Sequence, residues 1–69
     1  MRNNLRALRE RKGLTQQQLA ELVGVTRETI SIVERGRYNP SLPLAFKLAR
    51  VLEVSVEDLW ELEESDWPA

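Results

Sequence analysis

The segment LAELVGVTRETISIVERG, residues 19–36, constrains this chain more than any other. Two short stretches of helical period meet across Gly24-Val25, with Thr26 placed to cap the second. A link this short cannot let the two helices lie back to back. It makes them cross steeply.

The rest of the chain has the same grain. Every segment shows helical period and none alternates as a strand would. The spacing predicts a first helix over about Asn3–Lys12, with Leu5 and Leu8 on one face, and a second over about Gln16–Val23. Thr15 and Gln18 are spaced as a capping box for the second. The third helix runs from the Thr26 cap to about Arg35, and Gly13, Gly24 and Gly36 close the first three helices. Ser41 caps a fourth that reaches about Leu52, with Pro43 tolerated in its first turn. A Ser55–Asp58 capping box opens a fifth carrying Val56, Leu59, Trp60 and Leu62. These elements make an all-α domain over residues 1–62, followed by a polar tail, 63–69, expected to fray. The expected core is Leu5, Leu8, Leu14, Leu19, Ala20, Leu22, Val25, Ile30, Val33, Leu42, Ala45, Leu48, Leu52, Val54, Val56 and Leu59.

Composition narrows the function. Cysteine and histidine are both absent, which removes disulfides, thiolate metal sites and the commonest general base. No run is long and apolar enough to predict a membrane span or a signal peptide. The expectation is a cytoplasmic protein that is not an enzyme and takes no cofactor or metal. The net charge of -1 hides a segregation. Residues 1–50 carry ten bases against four acids, and residues 51–69 carry seven acids and no base. A basic body with an acidic end is consistent with a polyanionic partner or with a solvated surface.

The third helix holds two residues at odds with its apolar pattern. At about 100° per residue, Glu34 falls close to Ile30 on the buried face. A buried carboxylate needs a partner, and Arg9 holds the matching position on the first helix, so an Arg9–Glu34 pair is predicted. On the opposite side lie Glu28, Ser31, Ile32 and Arg35, flanked by Arg27. Arginine can bind guanine, glutamate can accept from cytosine, and an aliphatic group can touch a thymine methyl. A solvated helix face with one stray apolar residue has the same pattern.

The run Leu14–Ser41, LTQQQLAELVGVTRETISIVERGRYNPS, closely resembles the helix-turn-helix core of the phage repressor and Cro family, also called the xenobiotic-response-element type. The likeness extends over roughly Leu5–Trp60. It implies a five-helix lambda-repressor-like domain whose third helix enters the DNA major groove. Carried over by position, Arg27, Glu28, Ser31 and Ile32 face the bases. Gln16, Gln17, Thr26, Arg35, Arg37, Tyr38 and Asn39 take phosphate-contacting positions. The family also pairs an arginine at the Arg9 position with the glutamate at the Glu34 position. Glu28 and Ile32 stand where glutamines are frequent, so the operator does not follow by analogy.

The resemblance implies a small prokaryotic, nucleoid-associated transcriptional regulator, more often a repressor, that binds a pseudo-palindromic operator as a homodimer. Trp60 and Leu62, with Val54 and Leu59, are the candidate dimer contacts, and no small-molecule ligand is expected because the chain ends soon after the fifth helix. The alternative is an antitoxin-type interaction module with secondary operator binding.

Overall fold

The computed structural model describes all residues, 1–69. Its elements are β1 (Arg2–Asn3), α1 (Leu5–Arg11), α2 (Gln16–Val23), α3 (Arg27–Glu34), α4 (Leu42–Leu52), α5 (Val56–Leu59), β2 (Trp60–Glu61) and one 3-10 turn (Glu64–Asp66). None of these helices is long and apolar enough to cross a membrane.

The helix starts follow their caps. The Thr15 hydroxyl accepts the Gln18 N–H at 3.0 Å, and the Gln18 side chain accepts the Thr15 N–H at 2.8 Å. Ser55 and Asp58 make the same reciprocal pair at α5, with both bonds at 3.0 Å. The N–H of Ser55 holds the Asp58 carboxyl below its usual range. Thr26 and Ser41 cap α3 and α4 through the Thr29 and Leu44 N–H groups.

The core lies where α2, α3 and α4 meet. Leu5, Leu19, Ala20, Ile30, Val33, Leu48 and Leu59 are completely buried, with Val23, Leu44, Ala49 and Leu52 nearly so. Leu8, Leu14, Val25, Val54 and Val56 are only half-buried against this cluster. Two expected core residues are on the surface: Leu22 is 60% exposed and Leu42 is 69% exposed. Each lies roughly 100° around its helix from the centre of the buried stripe, too far for its side chain to reach inward.

Three further expectations are corrected. The first helix starts at Leu5 rather than Asn3, because Asn3 is engaged elsewhere. Its side-chain oxygen accepts the Leu5 N–H at 3.2 Å, and its amide donates to the Val33 carbonyl at 2.9 Å. The fifth helix ends at Leu59, and Trp60 turns into β2 to pair antiparallel with β1, Arg2 opposite Glu61 and Asn3 opposite Trp60. The domain is therefore mostly helical with a two-residue ribbon joining its ends. The tail, expected to fray, holds the 3-10 turn, where Asp66 accepts the Glu63 N–H at 2.7 Å. The Met1 ammonium lies 3.1 Å from carboxylate oxygens of both Glu63 and Asp66, which anchors the turn by opposite charge.

One helix ending is unusual. At the end of α4, Glu53 donates to the Arg50 carbonyl at 3.2 Å and Val54 to the Ala49 carbonyl at 3.0 Å. This closure puts its central residue in the left-handed region, and Glu53 is the only non-glycine there, at φ 58°. Its side chain forms an exposed ion pair with Lys12, which contributes little. Glu53→Gly is expected to raise the melting temperature by about 5 °C, read by circular dichroism, since strain relief outweighs the lost pair. Glu53→Gln, which keeps the strain, should not raise it.

Candidate nucleic-acid interface

α1, the start of α2 and α3 enclose an open cleft of about 640 Å3. α1 contributes Arg6 and Arg9, the start of α2 contributes Thr15, Gln16 and Gln17, and α3 contributes Arg27, Ser31, Glu34 and Arg35. No hydrophobic side chain lines it.

One network organises this cleft. The Arg9 side chain is 9% exposed and that of Glu34 is 5% exposed. Arg9 Nε donates to Glu34 Oε2 at 2.6 Å and Nη2 to Oε1 at 3.3 Å. Arg9 Nη1 donates to the Leu14 carbonyl at 2.8 Å, and Gln16 Nε2 donates to Glu34 Oε1 at 3.1 Å. Hydrogen bonding to Glu34 pushes the Arg9 guanidinium above its ordinary pKa despite burial, so it stays charged throughout the working range. α1, the turn before α2, the first residue of α2 and the last of α3 are thereby tied together.

With Glu34 spent on Arg9, the remaining cleft charge is positive. Arg27 and Arg35 make no ion pair, and Arg6 makes only a loose one to Glu10 at 3.5 Å. The first N–H groups of α2 have no intrahelical acceptor. Guanidinium groups, amides and a helix N-terminus together are a setting for phosphate.

The predicted site residues divide among several surroundings. Gln16, Gln17, Arg27, Ser31 and Arg35 share the cleft, although Gln17 also donates to Glu21 at 3.1 Å. Glu28 and Arg37 are exposed and do not line it. Ile32 is half-buried and lines a separate recess with Thr29 and Tyr38. The Thr26 hydroxyl is committed to capping α3. Asn39 borders an apolar groove with Pro40, Leu42, Ala45, Val56 and Trp60. Sequence reasoning missed Arg6 and Thr29. The signal for Arg6 was its spacing, three residues before Arg9 and so on the same side of the first helix.

The family model described as helix-turn-helix matches residues 5–59. The chain belongs to the helix-turn-helix family. An HTH-type transcriptional regulator of Archaeoglobus fulgidus is 48% identical over 66 residues, covering 96% of this chain and 94% of that protein. Another, from Methanothermobacter thermautotrophicus, is 52% identical over 65 residues, covering 93% and 94%. Among solved structures, the restriction-modification controller protein C.AhdI of Aeromonas hydrophila superposes with a TM-score of 0.75 at 45% identity, covering 81% of this chain and 85% of that one. SinR, a master regulator for biofilm formation solved in complex with DNA, gives a TM-score of 0.71 at 37% identity, covering 77% and 86%. The helix-turn-helix unit of this chain is thus α2 and α3, with the cleft along one side of α3.

The Arg9–Glu34 pair generates a stability prediction. Arg9→Ala or Glu34→Ala alone should cost about 3 kcal/mol, the low end for stranding a buried charge, because the pair borders an open cleft. The double variant should cost clearly less than the sum, measured by urea unfolding, and additivity would refute the coupling.

Proposed function

We propose that this helix-turn-helix chain is a small transcriptional regulator, acting in the prokaryotic cytoplasm on the nucleoid, that binds a pseudo-palindromic operator as a homodimer and represses by occluding the promoter. The observation that carries this reading is the basic cleft beside α3, where Arg6, Arg27 and Arg35 lie together without firm carboxylate partners. α3 enters the major groove and presents Arg27, Glu28, Ser31 and Ile32 to base edges. Gln16, Gln17 and Arg35, joined by Arg6, hold the phosphates of the cleft side. Arg37, Tyr38 and Asn39 follow the backbone past the end of α3, and Thr26 borders it at the start of α3, its hydroxyl held in the cap. The likeness to SinR, solved in complex with DNA, supports this arrangement. The relatives' naming as transcriptional regulators favours regulation over catalysis.

The dimer surface in this reading is the groove beside α5. Its lining includes Pro40, Leu42, Ala45, Val56 and Trp60 beside Met1, Asn39 and Glu57, and it holds about 410 Å3. Phe46, 58% exposed, and Leu62, 55% exposed, lie uncovered on the surface of the same chain. Leu59 is fully buried and takes no part. One self-complementary patch would place two copies of α3 on half-sites about one helical turn apart.

Titration onto genomic fragments at several salt concentrations tests the DNA reading. Specific binding should be lost in the Arg27→Ala, Ile32→Ala double variant, and its persistence would overturn the assigned face. Arg6→Ala should weaken binding to all sequences alike and flatten the salt slope by about one unit per subunit. For the dimer, Phe46→Glu should shift sedimentation equilibrium toward monomer with unchanged helical content. Wild-type protein that remains monomeric at every concentration, and on DNA, would overturn the homodimer.

A further inference from the structure

The C-terminal end of α3 brings a loop aromatic back onto the exposed side of the helix. Gly36 donates to the Val33 carbonyl at 3.0 Å, and Arg37 donates to the Ile32 carbonyl at 3.3 Å. These two bonds reverse the chain, and the reversal needs a left-handed residue between them, which Gly36 supplies at φ 72°. Tyr38, one residue past the second bond, therefore returns toward Ile32. Thr29, Ile32 and Tyr38 line one open recess of about 250 Å3.

The chemistry of this recess is unlike that of the cleft. No charged side chain lines it. The Thr29 hydroxyl lies 3.0 Å from that of Thr26, so one of its hydrogen bonds is made there. Two of its three lining residues are hydrophobic and its exposed lining is mostly apolar, so the recess suits an apolar occupant, since a polar base edge placed there would lose water for few partners. It shares the outer side of α3 with Glu28, four residues before Ile32, and Arg35, three after. The one apolar group that the major groove presents to such a surface is the C5-methyl of thymine.

We propose that Thr29, Ile32 and Tyr38 form a receptor for the C5-methyl of one thymine in each half-site, with Tyr38 a specificity-determining residue. The proposal rests on the operator-binding reading above. It gives Tyr38 a task distinct from a phosphate contact, one that its ring can perform without the hydroxyl. It also accounts for Ile32: an aliphatic side chain is useful on a reading face when a methyl group is what it meets.

Two random-sequence duplex pools, one made with thymidine and one with deoxyuridine, provide the test. Selection by the wild-type protein should enrich a consensus from the thymidine pool. Replacing its thymines by deoxyuridine one at a time should weaken binding about fourfold per half-site at one position, the value of a single buried methyl. Tyr38→Phe should keep that preference, and Tyr38→Ala and Ile32→Ala should lose it. Arg27→Ala should weaken binding to both duplexes while preserving their ratio. Equal affinities for thymidine and deoxyuridine at every position would overturn the receptor alone, as would an unchanged preference in Tyr38→Ala. Failure to enrich any sequence from either pool would overturn the operator-binding reading and the receptor with it.

Discussion

The geometry of the cleft depends on one guanidinium. Arg9 is nearly buried, and its three nitrogens reach the last residue of α3 and the carbonyl of Leu14. Replacing such a pair by well-packed apolar residues is often neutral or stabilising, so net stability is a poor account of its presence. Position is a better one. Glu34 can accept from Arg9 and Gln16 together only if α3 holds one rotation and one distance from α1 and from the start of α2. That rotation points Ile30 and Val33 inward and leaves Arg27, Glu28 and Arg35 outside.

The same pair sorts the charge. Glu34 is the one carboxylate lining the cleft, beside Arg27 and Arg35. Tied to Arg9, it leaves them uncompensated. Elsewhere the acidic end of the chain finds local bases: Glu61 meets Arg2, Glu53 meets Lys12, and Glu63 and Asp66 meet the Met1 ammonium. These are exposed pairs of small energetic value. They do, however, occupy acids that would otherwise repel a polyanion, and the near-zero net charge conceals a cleft that is clearly positive.

Much of this was legible beforehand. The caps at Thr15, Thr26, Ser41 and Ser55 are local chemistry, complete within three residues, and each forms as its sequence predicts. The period of α3 placed Glu34 beside the core, and the same reasoning on the first helix reached Arg9. The misses have one origin. Leu22 and Leu42 are apolar and helical, but they sit at the margin of their buried stripes, where only the position of a neighbouring helix decides exposure. Asn3 reads as a helix starter until its amide reaches Val33, and Trp60 reads as a helix residue until β1 pairs with it.

The sequence by itself determined the five helices, their caps, the tight α2–α3 link and the Arg9–Glu34 pair. Those follow from period, capping and the cost of an unpaired buried carboxylate, all of which act within a helix or between two of its neighbours. Only the tertiary structure decided that the site residues fall into a basic cleft, an apolar recess and an apolar groove. It added Thr29 to the second, joined the ends of the chain in a ribbon, and showed Arg6, whose spacing the sequence already carried, lining the first. Each of these is set by where one element lies against another distant in sequence, and the hydrogen bonds and packing that fix such positions leave no periodic trace in the chain.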